Sequence, residues 1–383
     1  MPIIPPSLLP LAAADPPAMV SPATAPLGRT ITVDPNGPIS TISAGSHLAR
    51  AGDTVLILPG TYHEWLNQTE SGRPGQPITF TAAKPGTVIL DATGFKTAFN
   101  SNFANAHWIT LTGITIRNCA NPNLDDIGAL NTGDHWRLED ITVDSADGTG
   151  IDIWGDGVVL ERVTVKNCGR AGLSGGGCTN VLVKDCSTLA NNTKGADPDF
   201  DGGAGKWTKT DHVTIDNLCS HDNIGPGLWF DYNNTNVVIR NSELYGNKGA
   251  AHAYSGDGLR LELNPGPVLI ENCKFHNNTG NQISIQSCRH ITIKNNNFIG
   301  STLDIRDWPR GDDYTIQDMN FQNNGLKGTK ISASGGTWNQ DSATSKRIKF
   351  SGNVYVQPPS PLFIWGGTFY SLDEAKTKLG VEK

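Results

Sequence analysis

The chain has 383 residues, 43 of them glycine, and a formal net charge of −7. That balance argues against the clustered basic surface that holds nucleic acid, but it leaves room for the few local cations an anionic sugar needs. No run of about 20 apolar residues occurs, so no segment reads as a membrane-spanning helix.

Residues 1–27 are rich in Pro and Ala, with no Lys or Arg before Arg29. They read as a disordered leader or linker. The SLLPLAAA stretch is a short, Pro-broken hydrophobic segment without the basic flank of a secretory signal, and a secreted or periplasmic protein is the expectation. Residues 28–383 read as one domain. Its opening, ITVDPNGPISTISAGSHLARAGDTVLILPGTYHEW, predicts a strand, a short helix near Ile39 to Arg50, and a strand ending in a Gly turn. A helix there would cover the open edge of the first coil. ITFTAAK and VILDAT give the next strands.

A repeat then governs the chain. Taking the third residue of each short apolar run, Leu111, Leu138, Leu160, Val183, Ile215, Ile239, Ile270, Ile293 and Ile316 are separated by 27, 22, 23, 32, 24, 31, 23 and 23 residues. A basal step near 23 means one coil per repeat, and the xVxIxN pattern alternates with period two as strands do. The prediction is an all-β, single-domain, right-handed parallel β-helix with a short N-terminal capping helix. A short C-terminal helix over SLDEAKTKLG, capped by Ser371 or Asp373 and stopped by Gly380, closes the other end. No heptad segment is present to trimerise the solenoid, so a monomer is expected.

Five of the seven Cys lie in the repeat frame: Cys119, Cys168, Cys186, Cys219 and Cys273. Eight residues after the reference position stand Cys119, Cys168, Asn191, Asn223, Asn247 and Asn278. They form one column of thiols and amides at a turn, in which the Asn side chains would hydrogen-bond from coil to coil. The thiols read as core or column residues rather than as redox or metal groups.

The two enlarged steps, 32 and 31 residues, place loops on one side of the solenoid with a single coil between them. Such loops build binding grooves. In the first, Asp197, Asp199 and Asp201 alternate with other residues and offer oxygen donors for Ca²⁺, or equally cap the turns of a solvated loop. Lys206 follows between Gly205 and Trp207, with Lys209 three residues on; a lysine held near apolar surface can serve as a base. The coil between carries His221, Asp222, Trp229, Asp231, Tyr232 and Asn233. Trp229 and Asp231 share one strand face, an arrangement that grips a sugar ring unless Trp229 merely fills a coil corner. His221 reads as a general acid or base, or as a turn-stacking ring. The second loop brings His252, Tyr254, Asp257, Arg260 and Glu262, with Arg260 placed to pair with a uronate carboxylate.

The segments AGDTVLILPGTYHEW, GQPITFTA and VILDA resemble the first coils of chondroitinase B-like and alginate lyases and of family-nine pectate lyases. ADPDFDGGAGKW and SHDNIGPGLWFDYNN are similar to the catalytic region of the family-nine enzymes. That resemblance implies Lys206 as a base beside a bound Ca²⁺, with Asp199, Asp201 and Asp222 as the nearest ligands and Asp197 beside them. The chain departs from the family where Gly225 and Pro226, after Asn223, replace an adjacent acidic pair. The chondroitinase B-like pattern of a lysine and an arginine on successive coils is met by Lys206 and Arg260.

The implied activity is β-elimination on a uronic-acid polysaccharide, with His221, Asp231, Lys209 and Arg260 assisting Lys206, and with Trp207, Trp229, Tyr232, Asn233, His252, Tyr254 and Glu262 holding substrate. A glycoside hydrolase using paired carboxylates is the alternative. A uronan epimerase and a non-catalytic glycan-binding adhesin are the others.

Overall fold

The computed structural model describes residues 28–100, 106–124, 127–249, 256–308, 310, 314–335 and 347–382. The predicted leader, 1–27, and the candidates His252 and Tyr254 lie outside these residues. The described chain winds as a parallel β-helix with three sheets along its length, two of thirteen strands and one of twelve. Every strand pair is parallel except the last, Phe363–Trp365 with Thr368–Tyr370. The first sheet runs from Thr30–Val33 to Ile348–Ser351 and carries the repeat's reference column, whose members pair in register from Leu111↔Leu138 through Ile270↔Ile293. The predicted column errs at its last member. Phe321, not Ile316, pairs with Ile293, and Ile316 is buried just before that strand.

From Gly113 onward, each coil leaves the first sheet through one residue with left-handed backbone. Asp140, Arg162, Asp185, Asn217, Asn241, Asn272, Asn295 and Asn323 hold φ between 53° and 57° there, with Gly113 and Gly352 at the two ends. Asn and Asp tolerate this region better than other non-Gly residues, which is why the apolar runs end in Asn or Asp so often.

The predicted column at the following turn is present and continuous. Asn223 Oδ1 accepts from the Asn191 backbone N–H at 3.0 Å and from Asn191 Nδ2 at 2.9 Å. Asn223 Nδ2 in turn donates to Asn247 Oδ1 at 2.9 Å, and Asn247 Nδ2 to Asn278 Oδ1 at 3.0 Å. Cys168 heads this run by donating its backbone N–H to Asn191 Oδ1. Burial pushes the Cys168 thiol up to about 12, so it remains protonated and packs as a small apolar group. Two further columns, Asn234–Asn264 and Asn296–Asn324–Asn353, serve other corners.

Both ends carry helices. The N-terminal one is Ile42–Leu48, shorter than the Ile39 to Arg50 expected, with Thr41 Oγ1 accepting from the Ala44 N–H. At the C-terminus Ser371 and Glu374 form a reciprocal capping box, and Gly380 ends the segment at φ 71°.

Removing one amide tests the column. Asn223→Ala leaves the Asn191 backbone N–H without its acceptor in a fully buried turn, at about 1–3 kcal/mol, while Asn191 Nδ2 keeps the Val165 carbonyl and Thr188 Oγ1. The melting temperature followed by circular dichroism should fall by several degrees; an unchanged melt would show that the column is not a source of stability.

Candidate functional site

Period-two alternation in the third sheet sorts the candidates. In Lys206–Thr208, Trp229–Asp231 and Leu259–Glu262, the residues Trp207, Phe230 and Leu261 point inward, and Lys206, Trp229, Arg260, Asp231 and Glu262 point outward. Register then stacks the outward residues. Lys206 pairs with Trp229 and Trp229 with Arg260, while Asp231 pairs with Glu262 one position further on. The strand starting at Lys206 can follow the long loop directly because Gly205 takes φ 149°, where a Cβ would overlap the Leu173 carbonyl oxygen.

The Trp229 indole is the floor of the cluster, 2% exposed despite its outward direction. Lys206 Nζ lies 4.1 Å from its ring centroid and the Arg260 guanidinium carbon 4.8 Å. Two cations bracketing one indole gain cation–π attraction that strengthens with desolvation. Lys206 Nζ also pairs with Asp231 Oδ2 at 2.8 Å and donates to the Phe200 carbonyl at 2.8 Å. Arg260 spans two loops, its Nε 3.3 Å from the buried Asp257 and its Nη1 3.1 Å from Asp199. Glu262 contacts Arg310 at 3.2 Å. Burial holds the Glu262 carboxyl above the usual carboxylate range and the adjacent Asp231 pushes the same way, against Arg310, Arg260 and Lys206.

Several expected members are elsewhere. Trp207 is a core residue, fully buried and stacked on Phe230 at 5.7 Å, and cannot touch a substrate. Gly175 makes the space for its ring, since a Cβ there would lie 2.5 Å from it. His221 belongs to the second sheet, in a ring stack with Tyr245 at 4.7 Å and then His276, with Asp222 on its Nδ1 at 2.8 Å. The turn-stacking alternative describes it. Lys209, Tyr232 and Asn233 form an exposed rim: Lys209 Nζ is 5.8 Å from the Tyr232 ring, and the Tyr314 hydroxyl donates to Asn233 Oδ1.

The four Asp expected to bind Ca²⁺ do not converge. Asp201 is engaged by Arg170, Asp199 by Arg260 and Asp222 by His221, while Asp197 caps its own loop by accepting from the Asp199 N–H. Among the described residues no group of three His, Cys, Asp or Glu is arranged to hold a metal ion. Carboxylates that diverge to separate partners, two of them arginines, do not fit Ca²⁺, and no chemical step is derived through it. Sequence reasoning missed Arg170, Phe200 and Arg310; the first two flank the named aspartates, and Arg310 joins from two coils beyond Glu262.

Residues 127–298 match the family model described as "Right handed beta helix region". The uncharacterized protein YwoF of Bacillus subtilis (strain 168) is 33% identical over 104 residues, which cover 24% of this chain and 22% of that protein, so the match spans under a quarter of either. Among solved structures, a PL6 family alginate lyase, AlyGC, aligns at 13% identity with TM-score 0.60, covering 92% of this chain and 57% of its own. XylC in complex with xylose aligns at 10% identity and TM-score 0.57, covering 87% and 86%. The GH136 lacto-N-biosidase of Eubacterium ramulus aligns at 11% and 0.54, covering 85% and 64%. These likenesses establish the fold. Among the described residues no helix is long and apolar enough to cross a membrane.

Glu262 gives the site a pH signature. Its folded-state affinity for a proton exceeds the unfolded one, so its contribution to stability is full below the unfolded value of about 4.3 and is lost as pH rises through the higher folded value. Glu262→Gln should therefore melt above the wild type at neutral pH, with the gap closing as the pH falls below about 4. A gap that stays constant with pH would show that Glu262 ionises in the fold without penalty.

Proposed function

We propose that this chain is a carbohydrate-active enzyme whose third-sheet face cleaves a uronate-containing polysaccharide by β-elimination. The observation that carries the reading is the placing of Lys206 and Arg260 on either side of Trp229, beside the Asp231–Glu262 pair. Elimination across a uronate needs a base for the proton α to the carboxylate, positive charge on that carboxylate, and an acid for the departing glycosidic oxygen. The Lys206–Asp231 pair supplies the base, accepting the α proton on whichever of the two is unprotonated. Arg260 neutralises the carboxylate as electron density moves into it. Glu262, whose proton affinity burial raises, protonates the leaving oxygen as the carbon–oxygen bond breaks and the double bond forms. The matched structures support a glycan substrate through their names, an alginate lyase, a lacto-N-biosidase and a xylose complex. A polymeric anionic substrate fits a secreted or periplasmic monomer.

One feature favours a second reading. Asp231 and Glu262 are register partners on one face of adjacent parallel strands, and a pair of carboxyl groups flanking the bond is what a glycoside hydrolase uses. There Glu262 would be the acid and Asp231 the nucleophile.

Incubation with polygalacturonate, alginate, glucuronan and glycosaminoglycans separates the two. Elimination raises ultraviolet absorbance as unsaturated ends form, whereas hydrolysis releases reducing ends without it. Lys206→Ala and Glu262→Gln should each lower kcat by about 10²- to 10⁴-fold, and chelator should leave the rate unchanged. Reducing ends without absorbance, lost in Asp231→Asn but kept in Lys206→Ala, would replace the elimination reading with the hydrolytic one.

A further inference from the structure

The outward column that holds Asp231 and Glu262 continues toward the N-terminus through Thr208 and Gly176 to Trp154. Gly176 pairs with Thr208, and Ile153 with Gly175, which puts Trp154 level with Gly176. Trp154 thus stands three coils from Asp231, about 14 Å along the axis at about 4.8 Å per strand. Unlike Trp229 it is open to solvent, with 46% of its surface exposed.

Its orientation is fixed from three sides. The indole Nε1 donates to Asp152 Oδ2 at 2.7 Å, two residues back on the same face. Its backbone N–H donates to Thr132 Oγ1 and its carbonyl accepts from that hydroxyl, both at 3.0 Å. The six-membered edge of the ring lies over Gly176, where a Cβ would come within 3.2 Å of it. An exposed indole held this firmly loses little entropy when something packs on it.

Beside the ring is a cavity of about 250 Å³ lined by Asn131, Thr132, Asp134, His107 and Thr97 among others. His107 Nδ1 and Asp134 Oδ2 are 3.2 Å apart at its edge. An apolar platform bordered by amide, hydroxyl and carboxylate groups suits a pyranose ring, whose C–H face stacks while its hydroxyls meet the border.

We infer that Trp154 and this cavity form a remote glycan subsite, binding a pyranose unit of the same chain whose scissile bond lies over Lys206, Asp231 and Glu262. The inference rests on the reading that the third-sheet face acts on glycans. Because the two places are three coils apart, only a ligand several sugars long reaches both, and the subsite gives the enzyme a preference for polymers over short fragments.

Isothermal titration of the wild type, Trp154→Ala and Trp154→Phe with size-graded oligogalacturonates, oligoalginates and xylo-oligosaccharides tests this. Trp154→Ala should weaken the binding of the longest oligomers roughly tenfold, Trp154→Phe should restore most of it, and disaccharide binding should be the same in all three proteins. Long oligomers bound equally by wild type and Trp154→Ala would overturn the subsite and leave the glycan reading intact. No binding of any oligomer to the wild type would overturn both. A Trp154→Phe protein that melts like wild type yet binds like Trp154→Ala would also overturn it, since stacking needs only an aromatic face.

Discussion

The constraint on which the molecule depends is parallel, in-register stacking of coils about 4.8 Å apart. It turns every position of the repeat into a column, so each residue meets its counterpart above and below before it meets anything else. Inward columns can then be apolar throughout, as Leu111, Leu138, Leu160 and Val183 are. Outward columns cannot repeat one charge without repulsion. The molecule alternates them, as in Lys206, Trp229 and Arg260, where an indole separates two cations. The amide columns hold this phase. Each Asn carboxamide accepts from the coil on one side and donates to the coil on the other, so a slip of one residue anywhere would break bonds along the whole stack.

Asp231 and Glu262 depart from that pattern as two carboxylates directly opposed, as Glu139 and Glu161 do where Arg137 bridges them. Like charges in register destabilise a sheet. The structure relieves the conflict by setting Lys206 against Asp231 and Arg310 against Glu262, while burial raises the proton affinity of Glu262. Arg260 plays the same part for two loops at once, tying Asp199 of the first insertion to Asp257 of the second. The face is therefore built from the same ions that would do the proposed chemistry.

Much of this was legible in the repeat. The step of 23, the Asn column and the terminal caps follow from local chemistry that a single chain displays: left-handed corners select Asn and Asp, and buried amides select their own kind. The insertions flanking one coil pointed to a single face, and Lys206, Trp229, Asp231, Arg260 and Glu262 lie together on it. The failures have equally specific causes. Trp207 is one residue out of phase with Lys206, and in a strand that difference is the whole thickness of the sheet. Asp201 and Asp199 looked like ligands because their partners, Arg170 and Arg260, are 31 and 61 residues away, and only the coil geometry joins them. Trp154 drew no notice since its coil has no insertion; its meaning comes from a column rather than from its neighbours in the chain.

The choice between elimination and hydrolysis comes down to where one proton sits. Both proposed reactions need an acid at the leaving oxygen, and Glu262, whose proton affinity burial raises, is the candidate in either. They differ in what the opposite group must do. A hydrolase requires Asp231 free to attack carbon, whereas Asp231 is bound to Lys206 at 2.8 Å, and Lys206 is itself fixed by the Phe200 carbonyl and the Trp229 face. A nucleophile so held would have to shed a charged hydrogen bond, among the stronger ones in proteins, before reacting. As a base, Asp231 gives up the same charge pairing, since taking the α proton leaves a neutral acid opposite the Lys206 ammonium. What separates the two reactions is Arg260, whose positive charge on the other side of Trp229 suits a uronate carboxylate and has no part in a hydrolytic step.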